Sequence, residues 1–158
     1  MEFTLTSGTF RVTDPCYDGL YWTSGIIGII NNARKGKWKG VVTSPWGMQS
    51  RVAELQVVQE NYTTASKMWE SAGFSVVVDS GQAGFFDAAL YPEWSEENNF
   101  YDTICKGTLS EDQYAVVPFG IASSTGYGDG EYKCYVAKNI EGEVIAAKIV
   151  FIGDEDEE

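Results

Sequence analysis

Phe10 and Val12 alternate with Thr9, Arg11 and Thr13, and a period of two puts apolar side chains on one face of a half-buried strand. Asp14-Pro15 ends that strand, because proline donates nothing to a ladder and restricts the residue before it. Residues 26–30 form a short apolar run, and residues 38–43 are β-branched and aromatic. Asn31-Asn32 and Gly36 between them predict a hairpin connection. Further strands are predicted over 51–59, 74–79 and 114–122. A last hairpin joins 132–138 to 144–152 through a turn containing Asn139 and Gly142.

Helical spacing is rarer. Ser95 can cap a helix with Glu96 and Glu97 in its first turn, and Gly107 follows its last lysine, Lys106. Trp94, Tyr101, Ile104 and Cys105 would form its inner stripe. A second, shorter helix is expected over 64–72, ahead of Gly73. The pattern predicts an α+β fold that is mostly β, an antiparallel or mixed sheet of short strands with one or two helices.

A chain of 158 residues, 44% apolar and 14% aromatic, is long and greasy enough for one packed domain over 1–152. Its formal charge is -12, from 23 acidic and 11 basic side chains. Five of the acids are the run 154–158, so 153–158 reads as a self-repelling, disordered acidic tail, and the body alone carries -7. That field opposes nonspecific binding to nucleic acid or to an anionic membrane, and it suits a basic protein partner. No apolar run is long enough to span a bilayer, and the first residues lack the basic and apolar segments of a signal peptide. Cys16, Cys105 and Cys134 are odd in number and widely spaced, which predicts reduced thiols rather than a disulfide framework. A cytoplasmic location is expected.

The chain has no histidine, which removes Ser-His-Asp and Cys-His nucleophilic systems and every histidine metal site. No Cys-x-x-Cys pair and no Walker A segment occur, and no cofactor is expected. Four constellations are left. Asp14-Pro15-Cys16-Tyr17 holds a potential thiol nucleophile without a base, or simply a strand-ending turn with a buried cysteine. Two glycine-aspartate segments, 78–87 and 124–132, either cap their own turns or bring Asp79, Asp87 and Asp129 together around a hard cation. The fourth is Arg34-Lys35-Gly36-Lys37-Trp38-Lys39. Arg34, Lys35, Lys37 and Lys39 could neutralise an anion while Trp38 stacks on it, or the segment is a solvated hairpin tip with Trp38 turned inward.

Ser124-Thr125-Gly126-Tyr127-Gly128-Asp129-Gly130-Glu131-Tyr132, with Tyr135-Val136 and Glu141-Gly142-Glu143-Val144 after it, resembles the signature of the domain of unknown function 4241 family. Val78-Asp79-Ser80-Gly81-Gln82-Ala83-Gly84-Phe85-Phe86-Asp87 resembles that family's upstream motif. Segments 51–55 and 100–109 resemble parts of related hypothetical proteins of bacteria and their phages, so the likeness covers most of residues 8–152. The resemblance implies a strand-rich fold and a bacterial or phage origin. It brings no catalytic residue with it.

Three functional classes follow. The first is a non-catalytic binding or interaction protein that takes a small anionic ligand or a basic protein partner. In a phage setting that means an inhibitor or a ligand-sequestering protein in the host cytoplasm. The second is a carboxylate-based hydrolase, with or without magnesium or calcium, built on Asp79, Asp87 and Asp129. The third is an immunity-type or structural protein.

Overall fold

Backbone pairing sorts the strands into two facing sheets. The computed structural model describes residues 1–23, 25–44, 51–62, 68–93 and 99–153. A six-stranded antiparallel sheet contains β1 (Glu2–Leu5), β4 (Gly36–Thr43), β5 (Glu54–Gln59), β6 (Glu70–Val78), β10 (Gly130–Lys138) and β11 (Val144–Val150). Its order is β1-β4-β5-β11-β10-β6. The second sheet has five antiparallel strands: β2 (Phe10–Thr13), β3 (Gly28–Ile30), β7 (Gln82–Asp87), β8 (Tyr114–Val117) and β9 (Gly120–Ser124), in the order β3-β2-β7-β9-β8. Phe3, Trp38, Leu55, Val76 and Ile149 from the first sheet meet Phe10, Val12, Phe85 and Ile121 from the second in one buried core. Trp38 is fully buried, and the Phe10 ring meets its indole edge-on at 4.9 Å. Rings of this size supply much of the driving force, since fully burying one large apolar side chain is worth about 1.5–3 kcal/mol.

Both flanks of the sandwich are closed. The Thr4 amide donates to the Pro118 carbonyl at 3.0 Å, tying β1 to the β8–β9 turn. On the other flank the Phe74 ring of β6 lies on the backbone of Gly28 in β3. The outer face of the second sheet is covered in two parts. The helix α1 (Phe100–Thr108) lays Ile104 and Phe100 on Phe86, Ala115 and Ala122. Beside it, the 14–22 loop folds over β2 and is held by Arg11. Among the described residues no helix is long and apolar enough to cross a membrane.

The mostly-β α+β expectation is met by these antiparallel sheets and a single short helix among the described residues. Several details differ from the sequence reading. Residues 26–30 and 38–43 are not a hairpin: β3 pairs with β2, and β4 pairs with β1 and β5. The segment between them crosses from one sheet to the other, with the Ala33 amide donating to Gly8 and the Arg34 amide to Val144. Residues 82–87, read as a tight connection, form the central strand β7. It is buried on both faces, so it lacks the alternation that marks a half-exposed strand. Residues 114–122 are two strands reversed at Pro118-Phe119, where a proline cannot continue the ladder.

The helix begins at Phe100, behind Asn99, and runs through Gly107. Gly107 is therefore a close-approach residue and not a helix stop: a Cβ there would lie 2.5 Å from the Ala115 Cβ. Residues 70–72, expected to end a second helix, belong to β6. The proposed cap at Ser95 with Glu96 and Glu97, Trp94 of the inner stripe, residues 64–67 of the expected 64–72 helix and the 154–158 tail lie outside the described residues. Cys16, Cys105 and Cys134 are free thiols.

Gly128 ends the tight turn that follows Thr125, with φ at +101° and open space where a Cβ would stand. Backbone strain is then the main effect of adding a side chain. Gly128→Ala is expected to destabilise by about 1 kcal/mol, a melting shift of about 2–4 °C by calorimetry in a domain of this size. An unchanged melting temperature would contradict this account.

Candidate functional site

The basic segment enters β4 at Gly36, and strand alternation splits its side chains between opposite faces. Trp38 points into the core, and its indole N–H donates to the Arg34 carbonyl at 2.8 Å. It therefore anchors the segment and offers no stacking face, which corrects its assignment as a ligand platform. Lys37 and Lys39 stand exposed on the outer face of the six-stranded sheet, opposite Thr4 and Glu2 of β1. Arg34 and Lys35, just before the strand, are the pair that converges. They rim a cleft of about 450 Å³ whose other walls are Ser7, Gly8, Thr9, Asn32, Ala33 and Glu143.

Asp87 lies behind that cleft and holds Ser7, one of its lining residues. At the end of β7 it is fully buried, and its Oδ2 accepts from the Thr6 amide at 2.8 Å, the Thr6 hydroxyl at 2.7 Å and the Ser7 amide at 3.2 Å. Its Oδ1 accepts from the Ser7 hydroxyl at 2.5 Å and the Ala89 amide at 3.0 Å. Burial alone would raise the Asp87 pKa. The donors on Ser7, Thr6 and Ala89 outweigh it and hold the carboxyl below its ordinary value. One carboxylate thus fixes the Ser7-Gly8-Thr9 turn against the Arg34 side of the cleft. On that side Arg34 Nη1 meets Glu143 Oε1 at 3.3 Å and the guanidinium lies 5.7 Å from the Tyr62 ring. Glu143 is itself held by Asn139 Nδ2 at 3.1 Å.

Asp79, Asp87 and Asp129 do not converge. Asp79 sits just before β7 and Asp87 at its far end, so a six-residue strand, about 16 Å long, holds them apart. Asp129 is on the Asp79 side, because Gly130 pairs with Val78, and it is exposed. Among the described residues no three histidine, cysteine or acidic side chains are placed to hold a metal ion.

Asp14 is an organising residue that no local sequence pattern marks. It is fully buried: Oδ1 accepts from the Cys16 amide at 2.8 Å and the Ser80 hydroxyl at 2.5 Å, and Oδ2 from the amides of Asp79 at 2.8 Å and Ser80 at 2.6 Å. The adjacent Cys16 thiol is pushed up to about 12 by burial and by Asp14, so at neutral pH it is protonated and a poor nucleophile. Tyr17 closes the group by donating its hydroxyl to Asp79. The Asp-Pro turn with a half-buried cysteine is thus a structural clamp between 14–17 and 79–80.

Compared with protein-family models, with curated proteins and with solved structures, the chain matches none.

The Asp87 clamp has a pH signature. A carboxyl whose pKa is lower in the folded state contributes stability above its unfolded value, about 3.9, and loses it as the pH falls through the folded value. Urea denaturation of the protein and of Asp87→Asn between pH 5 and pH 2 is expected to show the stability gap between them shrinking with acid. A gap that stays constant would mean that Asp87 is not an ionised clamp.

Proposed function

We propose that this chain works by binding rather than by catalysis, and that it takes a small anion in the Arg34–Lys35 cleft. The carrying observation is that these two cations line a polar cleft of about 450 Å³ together with the hydroxyl-bearing Ser7 and Thr9. Arg34 spends one guanidinium nitrogen on Glu143, and its remaining donors form a planar fork suited to a carboxylate or phosphate. Lys35 adds a point charge on the exposed rim. Ser7 of the lining is fixed by Asp87, so a ligand would meet a partly preformed surface and lose less entropy on binding.

Membership of the domain of unknown function 4241 family, a bacterial or phage origin and a cytoplasmic location belong to the same proposal, on the strength of the two glycine-aspartate motifs. In that setting the anion is sequestered, or its binding inhibits a host process. A second reading, docking of a basic protein, is favoured by the formal charge of -12.

Titration calorimetry at low salt with inorganic phosphate, adenosine monophosphate and citrate tests the first reading. At least one is expected to bind, and Arg34→Ala with Lys35→Ala should weaken it about tenfold or more, each charged hydrogen bond being worth about 1.5–3 kcal/mol. Lys37→Ala with Lys39→Ala, on the other face, should leave affinity nearly unchanged. Failure of all three anions would sink the cleft as an anion site. Salt-sensitive binding of a polylysine peptide that survives the double substitution would favour the basic partner.

A further inference from the structure

A second cleft opens on the outer face of the six-stranded sheet, and it shares no residue with the first. Its volume is about 330 Å³, near the lower end of the range for small-molecule sites, about 300–1,000 Å³. Glu54, Trp69, Tyr135, Lys148, Val150 and Ile152 line it. Lys148 projects outward from β11, because its neighbours Ala147 and Ile149 are buried in the core. Its Nζ lies 4.5 Å from the Trp69 ring centroid and 5.8 Å from that of Tyr135. Glu54 stands one diagonal away on β5, since Lys148 pairs directly with Gln56.

The spacing of the two charges is the informative feature. Glu54 Oε1 and Lys148 Nζ are 4.0 Å apart, beyond hydrogen-bond length, and the side chains are only 26% and 20% exposed. Among the described residues neither charged end makes a hydrogen bond. Burial lifts the Glu54 carboxyl above its ordinary value, and Lys148 draws it back only in part. A half-buried pair at this distance bears a desolvation penalty that its attraction does little to offset. Both ends retain the capacity to bond a third group.

We propose that this cleft binds a small zwitterion, an α-amino acid with an apolar side chain. Its carboxylate meets Lys148, its ammonium meets Glu54, and its side chain lies on Val150 and Ile152. The alternatives each leave something unmet. A simple anion would face Glu54, and a simple cation would face Lys148. A stacked sugar ring would compete with the Lys148 ammonium for the Trp69 face. A ligand that carries both charges a few bonds apart answers both ends of the pair.

The test compares L-leucine with 4-methylpentanoate, which lacks the ammonium, and 3-methylbutylamine, which lacks the carboxylate. In calorimetry leucine is expected to bind about tenfold or more tightly than either comparator. It should also shift the Trp69 indole N–H resonance, assigned through Trp69→Phe. Glu54→Gln and Lys148→Met should each weaken leucine by a similar factor, and Arg34→Ala should not. The comparators act on the unaltered protein, so the outcome does not depend on any variant folding. Absence of binding by leucine, methionine and phenylalanine would overturn the proposal. So would a comparator that binds as tightly as leucine, or substitutions at Glu54 and Lys148 without effect.

Discussion

A guanidinium withdrawn from water has to be solvated by the chain itself, and Arg11 organises a whole layer of this protein by that need. It is fully buried on β2, facing away from the sandwich core. Burial lowers its pKa, and the Tyr91 side chain and the Asp18 carboxylate oppose that shift. Its Nη2 donates to the Asp18 carbonyl at 2.9 Å and to that of Tyr17 at 3.4 Å, while Nη1 reaches the Gly19 carbonyl at 3.4 Å. The Tyr91 ring packs at 4.0 Å and the Trp22 ring at 4.7 Å. A loop with few ladder bonds of its own is thereby folded onto the sheet, and the Tyr91 hydroxyl bonds the Tyr17 carbonyl at 2.6 Å. Removing the charge would strip these carbonyls of their donors, and an unsatisfied buried polar group costs about 1–3 kcal/mol.

The same logic runs through the carboxylates. Asp14 and Asp87 lie near opposite ends of the second sheet, and each gathers backbone amides and hydroxyls from segments far away in sequence. Neither acts as a surface charge. Together with Arg11 they do for the loops what ladders do for the strands, supplying partners to backbone groups that secondary structure leaves unpaired. Between these fixed points the first cleft takes its shape, since Ser7 is held by Asp87 and Arg34 is positioned by the Trp38 indole and by Glu143.

Legibility in the sequence followed burial asymmetry. The 132–138 and 144–152 hairpin could be read because Cys134 and Val136 are buried while Lys133 and Lys138 are exposed, and because Asn139 caps its own turn. The β7 strand could not, because a helix and a facing sheet cover its two sides and erase the alternation. That miss carried into the candidate site: Asp79 and Asp87 look like neighbours when a strand is mistaken for a loop. Arg34 and Lys35 were legible as a concentration of charge. Ser7, Thr9 and Glu143 reach the same cleft through strand order, and no local pattern encodes strand order. Glu54 and Lys148 are likewise joined only by the pairing of β5 with β11.

The edges of the two sheets bear on polymerisation, the hazard of any strand-rich chain. An edge strand offers unpaired amides and carbonyls to any similar strand, and long flat edges seed fibrils. Here β1 and β8 have four residues each and β3 has three. The one long edge, β6, loses register against β10, and Gly73 within it has φ at +88°. A bend there turns the row of donors and acceptors out of line before a second copy could extend it. Mutual repulsion between molecules of formal charge -12 acts in the same direction. The strand that is apolar on both faces, β7, lies in the middle of its sheet, where no other molecule can pair with it.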